Sequence, residues 1–274
     1  MKNRSEAVLI TGCSTGIGRA TAERLAAAGH TVYATARNES SIEDLKDLGC
    51  RTLALDVTDE ASMKAAVDAV VAEEGAVGAL VNNAGYSQSG AIETVAMEDV
   101  RRQFETNVFG LIRMCQLVLP GMREQGAGRI VNISSETGWQ SGGPFNGVYA
   151  MTKHAIEAYS DSLRRELMLL DIPVVKVQPG PFRTSMVHSI EDRFERAARA
   201  STHFGAVLRR VGRLGAAEEG KAHPPEELAA VVEEALTAAR PRSAYSVHPA
   251  ASRVAFERLP TRLGDRLLRA VLRG

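Results

Sequence analysis

This sequence has little cysteine, no surplus of either charge and no long apolar run, and each shortage excludes something. Its three cysteines, Cys13, Cys50 and Cys115, stand far apart in helical, strand or turn contexts without ligand-like spacing, so they read as free thiols of a reducing cytoplasm. Lysine plus arginine number 33 and aspartate plus glutamate also 33, which leaves no net field to draw in nucleic acid or another polyanion. No stretch approaches the ~20 consecutive apolar residues of a membrane span. The opening MKNRSEAVLITG has neither a long apolar run nor a small-residue cleavage site, so no signal peptide is expected and the location is predicted to be cytoplasmic. Nothing resembles a linker, and residues 1–274 are expected to form one domain.

What the sequence does contain is a repeated alternation of short apolar runs with helix-patterned segments. Residues 7–11 (AVLIT), 31–36, 51–55, 79–81, 129–133, 173–178 and 243–247 read as seven strands. Helical segments are predicted over 17–28, 61–71, 97–123, 149–170 and from Pro224-Pro225 onward, where proline and acids suit a first turn. This alternation predicts an α/β fold of the doubly wound Rossmann type, a seven-stranded parallel sheet with helices on both faces.

The loops after these strands carry the chemistry. Gly12, Gly16 and Gly18 follow the first strand; without side chains there, a backbone can turn sharply, approach a pyrophosphate and start a helix close to the sheet. The second strand ends in Ala36-Arg37. An NAD site usually places a carboxylate at this point, whereas a guanidinium fits the 2′-phosphate of NADP(H), so NADPH is the expected cofactor, with Ser14 a second phosphate candidate. Arg37 as a solvated strand-end residue is the alternative. Asp56 after the third strand either meets the adenine amine or serves turn chemistry. Asn82-Asn83-Ala84-Gly85 after the fourth offers small residues against which a cofactor can lie, and Pro179-Gly180 follows the sixth.

The central stretch is 132–155, NISSETGWQSGGPFNGVYAMTKHA. Tyr149 and Lys153, four apart on a helix, share a face. A free phenol titrates near ~10, and a fixed ammonium nearby favours the phenolate. Ser135, delivered to the sheet's carboxyl edge, can hold a carbonyl or alcohol oxygen while a proton moves. Asn107 stands among apolar positions of 97–123, either as a tolerated surface residue or as a bridge from Lys153 to water.

In order along the chain, TGCSTGIG, NNAG, Asn107, Ser135, YAMTK and PGPFRT resemble the short-chain dehydrogenase/reductase family over roughly residues 7–184. The wording around PFNGVYAMTK and SDSLRREL is similar to the branch of hydroxysteroid and retinol dehydrogenases. The resemblance implies that Tyr149 is the acid/base, Lys153 its pKa partner and ribose ligand, Ser135 the carbonyl anchor and Asn107 the holder of a proton-relay water. It further implies cofactor contacts at Gly12, Ser14, Ile17, Asn83, Ala84, Gly85 and Thr184, with Thr15, Val57, Pro179 and Gly180 beside them. The interval from Ser135 to Tyr149 is one residue longer than the family's commonest spacing, which leaves Ser134 as an alternative anchor.

The expected reaction is NADP(H)-dependent interconversion of a carbonyl and an alcohol on an apolar substrate. Two rivals are a nucleotide-sensing protein, whose catalytic set would be broken, and a nucleotide-sugar epimerase or dehydratase, which would want a phosphate clamp. Residues 185–222 read as a helical substrate flap, and Trp139 as either a pocket wall or core. The tail, 250–274, reads as one amphipathic helix that caps the pocket, touches a membrane or docks on its own domain. The helices at 97–123 and 149–170 have apolar faces broad enough to predict a homodimer or homotetramer. His188, His203, His223 and His248 show no metal-ligand spacing and read as ordinary loop residues, so no metal is expected.

Overall fold

Seven strands form a single parallel sheet in the order β3-β2-β1-β4-β5-β6-β7: β1 (Val8–Ile10), β2 (Val32–Ala36), β3 (Arg51–Ala54), β4 (Ala79–Asn82), β5 (Arg129–Ile133), β6 (Val174–Pro179) and β7 (Ala244–Val247). The computed structural model describes residues 4–184, 190–219 and 222–273. The strand sequences explain the order. Every residue of β1, β2, β4 and β6 is buried, as strands covered on both faces require, while β3 and β7, with exposed positions, form the edges.

Helices cover both faces, giving the doubly wound Rossmann-like arrangement. One core sets Ala22 and Leu25 of α1 (Gly16–Ala27) and Leu228 and Val232 of α8 (Pro225–Thr237) against Val8, Ile10, Val131 and Val177. The other packs Met63 and Val70 of α2 (Glu60–Glu74), Met114 and Val118 of α4 (Gly110–Gln125) and Ile156 and Leu163 of α5 (Gly147–Leu167) against Leu9, Leu80 and Ile130. The strand order reverses between β1 and β4, and open parallel sheets take ligands at the carboxyl edge of such a point.

Several elements differ from the sequence expectations. The segment read as one helix over 97–123 is α3 (Met97–Phe104), a π-helical turn over Glu105–Phe109, then α4. Hydrophobic periodicity survives one widened turn, which is why the pattern hides it, and such turns occur frequently at functional sites. The helix expected over 149–170 begins at Gly147 and ends in a 3-10 turn, Met168–Leu170. The 3-10 stretch Glu39–Leu48, capped by Asn38, has no counterpart in the prediction.

The flap forms two helices, α6 (Ile190–Ala200) and α7 (Gly205–Glu219), joined by a small core of Ala91, Phe194, Ala198 and Leu208. Its residues 185–189 and 220–221, with His188 among them, lie outside the described residues. The tail is two helices rather than one, α9 (Ala251–Glu257) and α10 (Thr261–Arg273), because Pro260 between them cannot continue a helix. Among the described residues no helix is long and apolar enough to cross a membrane.

Candidate active site

The turn after β1 is laced to the turn after β4. Gly12 has φ +76°, and a Cβ there would stand 2.9 Å from the Ala84 Cα. Gly18 presses α1 onto the same place, since its Cβ would meet Asn83 Nδ2 and the Gly12 carbonyl at 2.4 Å. Asn83 Nδ2 donates to the carbonyls of Thr11 (2.9 Å) and Gly12 (3.0 Å). The Thr11 hydroxyl accepts from the backbone N–H of Asn83 and of Ala84, each at 3.0 Å. From the far side Thr184 closes on Gly16, whose Cβ would lie 3.0 Å from the threonine methyl. Pro179 ends β6, and Gly180 packs where a Cβ would strike the His248 carbonyl.

These contacts leave an open ledge. Ser14 and Thr15 are exposed, Ile17 is half-buried, and Thr15 makes no side-chain cap at the start of α1, the kind of helix N-terminus whose amides and dipole favour an anion. Arg37 is exposed at the end of β2 and has no ion-pair partner among the described residues. Asp56 uses one oxygen for turn chemistry, accepting from the Thr58 N–H (2.9 Å) and hydroxyl (2.8 Å). Val57 is buried under Gly110, and a Cβ on Gly85 would lie 3.1 Å from Asn107 Oδ1. A glycine turn, an uncapped helix start and an unpaired guanidinium together fit a dinucleotide.

Strand β5 delivers Ser134 and Ser135 in opposite senses. Ser134 Oγ is buried under Gly138 with no hydrogen-bond partner among the described residues. Ser135 turns to the Tyr149 phenol and depresses its pKa, while its Oγ accepts from the Thr137 N–H at 3.1 Å, leaving its own proton free to donate. Tyr149 is half-buried. Burial raises its pKa, against lowering by Ser135, Arg193 and Arg253 and further raising by Glu136.

The chain alone does not show Lys153 acidifying this phenol as expected. Lys153 Nζ lies 5.7 Å from the Tyr149 ring centre and donates to the Ile133 carbonyl at 2.9 Å. Desolvation brings its own pKa down to about 8, with Glu157 opposing, so its charge is itself held at a cost. Asn107 lies in the π turn, 1% exposed, so it is no surface residue. Its Oδ1 accepts from the Tyr86 N–H (3.0 Å), and Nδ2 donates to the Tyr86 carbonyl (2.9 Å) and the Thr152 hydroxyl (3.1 Å). It reaches α5 through Thr152, not Lys153.

Sequence reasoning passed over four of these residues. Tyr86 and Thr152 hold Asn107; Glu136 and Arg253 bring the tail to the site. Buried Glu136 accepts from the Ala250 N–H (2.8 Å) and Arg253 (3.3 Å), and Glu257 accepts from the Ser141 N–H (2.8 Å) and hydroxyl (3.0 Å). Thr152 lies inside YAMTK, but its service to Asn107, 45 residues away, and the Glu136–Arg253 pair, 117 residues apart, carry no local signal. Trp139 is 40% exposed, so core packing does not account for it. Two histidines read as unrelated loop residues, His223 and His248, stack at 3.7 Å beside Glu227.

A family model described as short chain dehydrogenase matches residues 6–194. The 3-ketodihydrosphingosine reductase of Bacteroides thetaiotaomicron is 35% identical over 97% of this chain and 96% of its own. The NADPH-dependent 3-dehydrocapnine reductase of Ornithobacterium rhinotracheale is 31% identical over 95% of this chain and 93% of its own. A solved short-chain dehydrogenase from Streptomyces avermitilis superposes with a TM-score of 0.78 at 32% identity, covering 99% of this chain and 96% of the other. The chain therefore belongs to the short-chain dehydrogenase family, oxidoreductases that act on carbonyl and alcohol groups with a nicotinamide cofactor.

Proposed function

We propose that this protein is an NADPH-preferring reductase of a ketone carried on an apolar substrate. The observation that carries the reading is Ser135 and Tyr149 side by side at the carboxyl edge of the sheet, across from the laced glycine turn. The ledge around Gly12, Ser14, Gly16, Gly18, Ala84 and Thr184 would hold the dinucleotide, with Asp56 and Val57 near its adenine end. Arg37 supports the choice of NADPH, since no acid beside it opposes a 2′-phosphate.

A bound nicotinamide supplies or accepts the hydride. Tyr149 gives its proton to the developing alkoxide, and the free proton of Ser135 steadies the same oxygen. Ser135, not the enclosed Ser134, is the anchor. Lys153, with one N–H committed to Ile133, keeps two donors for the ribose. Asn107 fixes the start of α5 through Thr152 and places Tyr86.

The substrate side is apolar. A cleft of about 760 Å³ opens among Ile92, Pro144, Phe145, Met151 and Phe204, where loops meet the flap and α5. The two relatives aligned along nearly the whole chain are named for reducing a 3-keto or a 3-dehydro compound, which favours a ketone of that kind over a steroid or retinoid. Exposed Phe109 and Leu169 on the segments flanking the site support assembly as a homodimer or homotetramer. The three buried free thiols suit a reducing cytoplasm.

The test follows NADPH absorbance against 3-keto long-chain, steroid, retinoid and aryl ketones, and repeats the best with NADH. Faster turnover with NADH at equal concentration overturns the cofactor reading. Tyr149→Phe should lower kcat by about 10²–10⁴-fold with cofactor affinity retained. Normal turnover by that variant sinks the assignment.

A further inference from the structure

Away from Tyr149, at the carboxyl end of β6 and β7, three side chains converge that the proposed reaction does not use. His223 Nδ1 stands 3.3 Å and His248 Nε2 2.8 Å from the same oxygen, Oε2 of Glu227, and all three possible donor atoms lie within 4.8 Å of one another. We propose that His223, Glu227 and His248 form a binding site for a divalent transition ion of the Zn²⁺ class.

The donor set fits. Two imidazoles and one carboxylate suit zinc and its neighbours, whereas Ca²⁺ and Mg²⁺ want several oxygens and find one carboxylate here. Two donors of a tetrahedral zinc with bonds of about 2.0–2.1 Å lie ~3.3 Å apart, a spacing the present contacts approach. The parallel rings, 3° between planes, require the His248 imidazole to turn toward the ion. The three side chains are 38%, 47% and 41% exposed, enough for an ion to enter and for water to take the fourth position.

The frame beneath is built. The His223 N–H donates to the Pro181 carbonyl (3.1 Å), and its own carbonyl accepts from the Arg183 N–H (2.8 Å), so it is zipped to the segment after β6. Glu227 projects from the first turn of α8. His248 takes φ +48°, a left-handed backbone that carries strain in a non-glycine residue, and its carbonyl is seated against Gly180. Phe182 lies 5.9 Å from both imidazoles and walls the cluster on one side. Local strain that places a ligand-type side chain beside two others is expected of a site more than of a plain surface contact. An ion here would fasten the segment leading to Thr184 to both β7 and α8.

The experiment is calorimetric titration of ZnCl₂ into the untagged, chelator-washed full chain with excess Mg²⁺ present, and titration of Co²⁺ followed by its visible absorption. One ion per chain is expected, with a Kd of about 10 µM or tighter. His223→Ala and His248→Asn should each weaken binding more than ~10-fold. Asparagine tolerates the left-handed backbone, so the second variant keeps the fold, to be checked by an unchanged melting curve. His203→Ala should bind as the parent does. No heat and no cobalt spectrum, or binding indifferent to both ligand variants, overturns the site.

Discussion

Tyr149 stands under opposed influences: burial holds its proton on, while Ser135, Arg193 and Arg253 loosen it. Two of these three helpers come from outside the loop and helix that carry the catalytic motif, one from α6 and one from α9. Arg37 is the other residue on which a distinction turns. Arg37→Asp should remove the 2′-phosphate partner and install a carboxylate suited to ribose hydroxyls, swinging the ratio of kcat/KM for NADPH over NADH by about tenfold or more toward NADH. An unchanged ratio would leave Arg37 as a solvated strand-end residue. At this scale the sequence was most legible where neighbours along the chain share one turn, as in Gly12, Gly16 and Gly18, whose sharp turn and close backbone approach the structure bears out. It was silent where one side chain serves another across the fold, as Thr152 serves Asn107 and Glu136 holds Arg253.

Among the elements, the strands were readable because apolar runs buried on both faces have few other uses. The bounds of β5 could be placed to the residue, while the choice between Ser134 and Ser135 just beyond it was left open. Helix interruptions were not, since a π turn keeps nearly the same apolar stripe, and a proline in a tail of even amphipathic pattern breaks it without altering which residues are apolar. Close approach specifies α1 tightly. Gly18→Ala would force a methyl into Asn83 Nδ2 and the Gly12 carbonyl, backbone that cannot yield cheaply. Such overpacking costs about 1–3 kcal/mol. Urea midpoints should fall accordingly and NADPH affinity should drop with them. Gly147→Ala, with nothing within 4 Å of its Cβ, is the control and should leave stability unchanged or slightly raised. Equal effects of the two would show that the α1 contact is slack.

For the whole molecule, buried titratable groups set an alkaline limit. Burial raises the thiols of Cys13, Cys50 and Cys115 to about 12, 11 and 12 from 9.0, so above pH 9 the unfolded chain sheds protons that the folded one keeps, and stability falls as pH rises. Lys153 acts the other way. Its folded value of about 8 lies below 10.5, so between these the unfolded chain holds the extra proton and stability rises with pH. Three thiols outweigh one ammonium above pH 9, so denaturant midpoints should stay nearly level from pH 8 to 9 and decline from 9 to 11. A midpoint still climbing at pH 11 would refute this balance. The docking of the tail on Glu136 and Ser141 has a separate consequence. Because α9 grips the very loop that presents Ser135, grafting it from one relative to another should transplant substrate preference while the nucleotide half stays untouched, making this short helix a natural handle for retuning the enzyme.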